Sequence, residues 1–144
     1  MITSGVYPVF DNVFKINISD STTKNMVTIA DCTDFSVAMD NNIEEWTPME
    51  QGGWVRRLQT GKSISISLNA KRNVGDPGND YCAECAFKTG QDTYTDFEWE
   101  MPNGDKIEFH CVINVTALGG TSRDVESLQC EVLSDGAVVY TPKL

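Results

Sequence analysis

The chain has 144 residues, one domain's worth of sequence, with 40% hydrophobic and 22% charged residues, enough for a packed core and too mixed for a disordered tail. Its 11 Lys and Arg against 21 Asp and Glu leave a net charge of −10, which argues against a nucleic-acid-coating protein or one that docks on anionic membranes, since both need a cationic footprint. No apolar run approaches the roughly 20 residues that span a bilayer, no signal-peptide pattern opens the chain, and the cysteine count is odd, so a soluble, unexported protein with reduced thiols is the expectation.

Period-two alternation dominates. Strands are predicted at 13–18, 27–30, 35–39 and 43–47, from their Val, Ile, Thr and aromatic content. Asp40-Asn41-Asn42 reads as a turn, and residues 40–61 as a long loop in which Trp46-Thr47-Pro48 breaks the strand and Gln51-Gly52-Gly53 is a flexible spacer. Long loops in compact domains are functional or flexible, and this one holds Trp46, Trp54, Arg56 and Arg57, the residue types that dominate interfaces. A long strand follows at 62–70, where Ile64, Ile66, Leu68 and Ala70 share one face and Ser63, Ser65, Ser67 and Asn69 the other. A helix is predicted over about 79–89, capped by Asn79 or Asp80 and stopped by Gly90. Strands at 95–101 and 106–118 flank the hairpin turn Pro102-Asn103-Gly104-Asp105; Glu108 and His110 lie on the polar face of the second. Strands at 128–133 and 138–140 flank Ser134-Asp135-Gly136-Ala137, which has the same turn chemistry. The fold class expected is mainly β, an antiparallel sandwich or barrel-like domain spanning 1–144 with one flanking helix.

Charge is blocked along the chain: −6 over residues 1–53, +5 over 54–72 with no acid at all, and −9 over 73–144. The basic band either meets an acidic surface elsewhere or packs on its own acidic neighbours.

Catalytic chemistry finds little support. Cys82-Ala83-Glu84-Cys85 is a lone CxxC without the second ligand pair of a zinc site or the βαβ setting of a redox motif, and reads as buried apolar packing. His110 and Cys111 are adjacent on a strand and point to opposite faces. Asp96, Glu98 and Glu100 share a strand face about 6.6 Å apart, a spacing that glycosidase carboxylates can adopt. Phe97 and Trp99 point the other way, so no sugar-stacking cleft is indicated, and a solvated acidic face is the simpler reading. Gly61-Lys62-Ser63 lacks the earlier glycine of a phosphate loop and precedes a strand. No catalytic residue, metal ligand or cofactor is assigned.

The string from Gly53-Trp54-Val55-Arg56-Arg57 through Gly61-Lys62-Ser63 into Ile64-Ser65-Ile66-Ser67-Leu68-Asn69-Ala70-Lys71-Arg72-Asn73, then Gly75-Asp76-Pro77-Gly78-Asn79-Asp80-Tyr81, resembles the tail tube (major tail) proteins of tailed bacteriophages and phage-tail-like bacteriocins. Leu128-Gln129-Cys130-Glu131-Val132-Leu133-Ser134-Asp135-Gly136 is similar to the closing strand and turn of that family. The resemblance covers about 13–140 and rests on layout rather than on a catalytic signature. It implies a structural, non-enzymatic virion subunit, assembled in the bacterial host cytoplasm, that forms hexameric rings stacked into a hollow tube. Its partners would be further copies of itself and other tail proteins such as tape measure, tube initiator and terminator, with DNA passing through unbound and no membrane contact. The cysteines at 82, 85, 111 and 130 depart from the family pattern. In that setting the 40–61 loop, with Trp46, Trp54, Arg56 and Arg57, is the expected assembly element, and Ser63, Ser65, Ser67, Asn69, Glu108 and His110 are expected to face the bore. The rival expectation is a monomeric β-sandwich that binds a protein or carbohydrate.

Overall fold

The computed structural model describes residues 5–19 and 22–142. Seven strands are present: β1 (Val13–Asn17), β2 (Met26–Thr28), β3 (Cys32–Trp46), β4 (Arg56–Lys71), β5 (Tyr94–Glu100), β6 (Lys106–Gly119) and β7 (Ser127–Thr141), with one helix, α1 (Pro77–Glu84), between β4 and β5. They form a single antiparallel sheet in the order β2-β1-β5-β6-β7-β4-β3.

The sheet folds over on its apolar face. Phe14 of β1 and Phe35 of β3 come from opposite ends of the strand order, yet their ring centroids are 4.9 Å apart in an edge-to-face pair. Trp99 of β5 joins them, 5.4 Å from Phe35. Ile16, Ile66, Leu68, Phe97, Ile113, Leu128 and Val132 fill the interior. Removing each such side chain from water contributes about 1.5–3 kcal/mol, so this contact between the sheet's two ends is what closes the body into a sandwich-like layer pair.

The alternation read in β4 and β6 is present as expected: Ile64, Ile66, Leu68 and Ala70 are buried, as are Ile107, Phe109, Cys111 and Ile113, while the residues between them are partly or fully exposed. Three local expectations are corrected. Asp40-Asn41-Asn42 is not a turn but the middle of the 15-residue strand β3. Asn42 pairs with Gly61 across the ladder and its side chain bonds the Thr60 hydroxyl at 2.7 Å, where a one-residue bulge on β4 absorbs the irregularity. The turn chemistry of Ser134-Asp135-Gly136-Ala137 is used as a bulge inside β7: Ser134 pairs with Cys111 and Val138 with Phe109, and Gly136 takes a φ of 95° to make the detour.

The helix begins and ends earlier than expected. Asp76, not Asn79 or Asp80, is the cap, accepting the Asn79 amide hydrogen at 3.0 Å, and Pro77 follows in the first turn. A 3-10 turn, Cys85–Phe87, closes the segment, and Gly90 opens a second 3-10 turn instead of stopping the helix. Past that first 3-10 turn, Lys88 lies over the Tyr81 ring at 4.6 Å. Asn79 is fully buried and fixes the helix to the sheet: it donates to the carbonyls of Ala30 and Lys71 at 3.1 and 2.9 Å and accepts from Arg72 and the Asn73 amide at 3.0 Å each. Gly78 is required there, because a Cβ would come within 2.7 Å of the Thr28 carbonyl oxygen.

Candidate assembly surface

β4 pairs with β7 only from Ser65 to Lys71, and the last bond between them is the Ile64 amide donating to the Ser134 hydroxyl at 3.0 Å. Beyond that point the two strands diverge. The lower halves of β3 and β4 continue alone as a two-stranded ribbon, paired down to Trp46 and Arg56 and closed by residues 47–55. The expectation of a loop over 40–61 is therefore corrected to a hairpin arm with a short tip. The sequence hid this because turn-type residues (Asp40, Asn41, Asn42) sit in a strand where neither face is packed, so nothing selects against them.

The four residues expected at an interface all lie on this arm but not on one face. Trp46 and Arg56 are cross-strand partners, with the guanidinium carbon 5.7 Å from the indole centroid; Glu44 and Leu58 share their side. Arg57 lies on the opposite side, bonded to Glu45 at 2.7 Å. Trp54 and Met49 belong to the tip and are 77% and 99% exposed. The ribbon also exposes Met39, Ile43, Val55 and Leu58. Those apolar residues were missed at the sequence level, since Met39 and Ile43 read as ordinary inward strand positions.

The basic band of residues 54–72 is partly neutralised within the same chain. Arg57 pairs with Glu45, and Arg72 pairs with Asp80 at 2.7 Å. The Arg72 hydrogen bond holds the Asp80 carboxyl below its usual range.

The cleft opened by the divergence has a volume of about 470 Å³ and is walled by Met39 and Ile64 on one side and by Ile107, Val138 and Tyr140 on the other. Both walls are strand edges whose outer backbone groups have no strand partner among the described residues. The outer edge of β3 is likewise unpaired among the described residues along all 15 residues. Such edges are templates for strand addition by another chain.

The polar side chains of the sheet share one face. The ladder register carries Ser65, Ser67 and Asn69 of β4 across β7, through Gln129, Glu131 and Leu133, to Val112 and Asn114 of β6, and so to Glu108 and His110 on the same strand. Ser63 lies past the divergence, opposite Asp40. On the far side of β6 the same face holds Asp96, Glu98 and Glu100 of β5 and Lys15 of β1.

The three carboxylates form an ion-pair network and not a catalytic pair. Lys15 contacts Glu98 and Glu100 at 3.7 and 3.1 Å, and Lys106 contacts Glu98 and Glu108 at 3.2 and 3.4 Å. Lys24 and His110 hold Asp96 at 3.5 and 3.2 Å. Glu98 is only 6% exposed, so the face is not fully solvated as expected. Burial, followed by the Glu108 carboxyl opposite it, pushes its pKa up, whereas the Lys15 hydrogen bond pulls Glu100 down. Each of the three carboxylates thus has a lysine on it.

No protein-family model matches the chain, and no curated protein does. Solved structures do. A chain in the tail of an empty gene transfer agent particle, determined by helical refinement with C6 symmetry, superimposes with a TM-score of 0.76 at 21% identity, covering 95% of this chain and 100% of that one. A chain of the native gene transfer agent virion matches at 0.76 and 20%, over 95% and 100% of the two chains. A chain from the sheath/tube terminator of an extracellular contractile injection system (PVC), in its extended state, matches at 0.60 and 12%, over 96% and 99%. Over nearly its whole length, this chain shares its fold with chains of gene transfer agent particles and of a contractile injection system.

Proposed function

We propose that the protein is the structural subunit of a tail tube in a phage or phage-like particle. On this reading six copies form a ring and rings stack into a hollow conduit for DNA or an effector. The observation that carries the proposal is the end-to-end match with a chain of a C6-symmetric tail, in which neither chain has a large unmatched segment. The geometry agrees with it. A sheet with long open edges and an apolar cleft is completed when copies add strands to one another around an axis, which removes the edges without covering them by further sequence. The hairpin arm, with Trp46, Trp54, Arg56 and Arg57, then reaches a neighbouring copy.

The polar face is assigned to the bore. It presents serines, Asn69, Glu108 and His110, with an acidic excess over its lysines. Phosphates bind where cations neutralise them, so such a wall lets DNA slide past without being held. No catalytic step is assigned; the subunit acts in the virion, after assembly in the host cytoplasm with other tail proteins such as a tape measure, an initiator and a terminator.

Deletion of residues 50–53 at the tip tests the reading. The expected product keeps the far-ultraviolet spectrum and melting of the parent but gives no tubes by negative-stain microscopy under conditions where the parent forms them. Tubes from the deletion variant would overturn the role given to the arm.

A further inference from the structure

The cleft between β4 and β7 is the open end of the core. Met39 pairs with Ile64, Ile107 with Tyr140 and Val138 with Phe109, so the register puts all five apolar cleft residues on the inward face of the sheet. Ile64 and Ile107 are buried, whereas Met39, Val138 and Tyr140 are exposed. One wall is fixed in place, because the Tyr140 hydroxyl donates to Asp105 Oδ2 at 2.7 Å and anchors the far end of the ring. Apolar surface continuous with a core is unfavourable while it faces water, and a patch of this kind marks a docking site.

The tip of the arm is the matching piece. Residues 47–55 expose Met49, Trp54 and Val55 and carry one charge, Glu50. Lys62 is the one charged residue lining the cleft. Neither Glu50 nor Lys62 makes an ion pair among the described residues. Piece and cleft are therefore both apolar, and their single charges are opposite. The tip cannot come from the same chain. The ladder runs from Ile64 on to Arg56, eight residues (64 to 56) or about 26 Å at the strand rise, and that ribbon holds the tip away from its own cleft. Val9 and Phe10 are also exposed, but they already border a hollow with Phe14 and Phe35 of their own chain.

From this complementarity, and resting on the tube reading above, we infer that the cleft receives the arm tip of a second copy. Trp54 and Met49 pack on Met39, Ile64 and Tyr140, and Glu50 pairs with Lys62. The contact is heterologous, tip on cleft, so each copy both gives a tip and receives one. Head-to-tail contacts of this kind close into rings or run on as filaments, which is the property that a stacked tube requires.

The test places the photocrosslinker p-benzoylphenylalanine at residue 54 and grows tubes from a mixture of isotope-labelled and unlabelled chains. Crosslinks formed under ultraviolet light are mapped by mass spectrometry. The expected links join residue 54 of one copy to 62–64 or 136–140 of another. Links to any other segment, or links only within one chain, would overturn the docking and leave the tube reading standing. An unaltered protein that never forms tubes would overturn both. Where the crosslinker itself blocks assembly, a charge exchange decides. Glu50→Lys and Lys62→Glu should each raise the lowest concentration that yields tubes on the order of tenfold, and the two together should restore it. A double variant no better than either single one would overturn the docking.

Discussion

The two halves of the β3–β4 hairpin both carry apolar residues, arranged differently and in different surroundings. In the upper half, Phe35, Val37, Ile64, Ile66 and Leu68 turn inward against β1, β5 and β7, and the alternation becomes a buried face and a polar face. In the lower half the apolar residues are divided between the two faces, Met39 and Ile43 on one and Leu58 and Trp46 on the other; β7 has turned aside and no strand of the described residues covers either face. One buried face goes with strict alternation, and an uncovered ribbon carries apolar residues on both sides. On the proposed reading, the upper half folds the subunit and the lower half is left for assembly.

The largest effect separating the halves is expected in the core. Ile66→Ala should cost about 2–5 kcal/mol, since the cavity it leaves is walled on all sides. In the lower half, Trp54→Ala should change subunit stability by less than about 0.5 kcal/mol, as expected of an exposed side chain, yet it should greatly reduce tube yield. Denaturant melts and sedimentation of the two variants side by side would expose the difference, and equal destabilisation by both would erase the distinction. A smaller effect belongs to the ribbon's own ion pair. Arg57→Ala should lose no more than about 1 kcal/mol, because the Glu45 pair is solvent-exposed, and the loss should vanish in high salt.

The smallest effect concerns pH. Glu98 has a raised pKa in the folded protein, so ionising it costs stability as pH rises through that value, the reverse of Glu100, whose lowered pKa contributes stability above the unfolded value. Glu98→Gln removes the first term. The Tm of the variant relative to the parent should therefore be higher at pH 7 than at pH 5, and the opposite ordering would refute the assignment of the shift to burial.

Much of the body was legible in the sequence. The strand at 62–70 and the turn at 102–105 follow from period two and Asn-Gly chemistry, because there the local pattern and the packing agree. The opposed directions of His110 and Cys111 follow in the same way. Two of the errors share one cause. Asp40-Asn41-Asn42 and Ser134-Asp135-Gly136-Ala137 carry turn chemistry, and both lie where the ladder is irregular and only one neighbour holds the strand. A bulge and a turn use the same residues, and only the partner strand decides between them. The cleft was invisible for a related reason: Val138, Tyr140 and Met39 look like core residues, and their exposure arises from the divergence of two strands far apart in sequence. The helix start was missed because Asp76 and Asp80 are both capping types, and the choice is made by Asn79, whose side chain is committed to Ala30 and Lys71.

Cryo-electron microscopy of tubes grown from the purified protein tests the central claim most directly. The account predicts six-fold rings around an open bore, with Ser65, Ser67, Asn69, Glu108 and His110 on its wall and the edges of β3, β4 and β7 paired to neighbouring copies. Those side chains on the outer surface, or an assembly with no central channel, would contradict it.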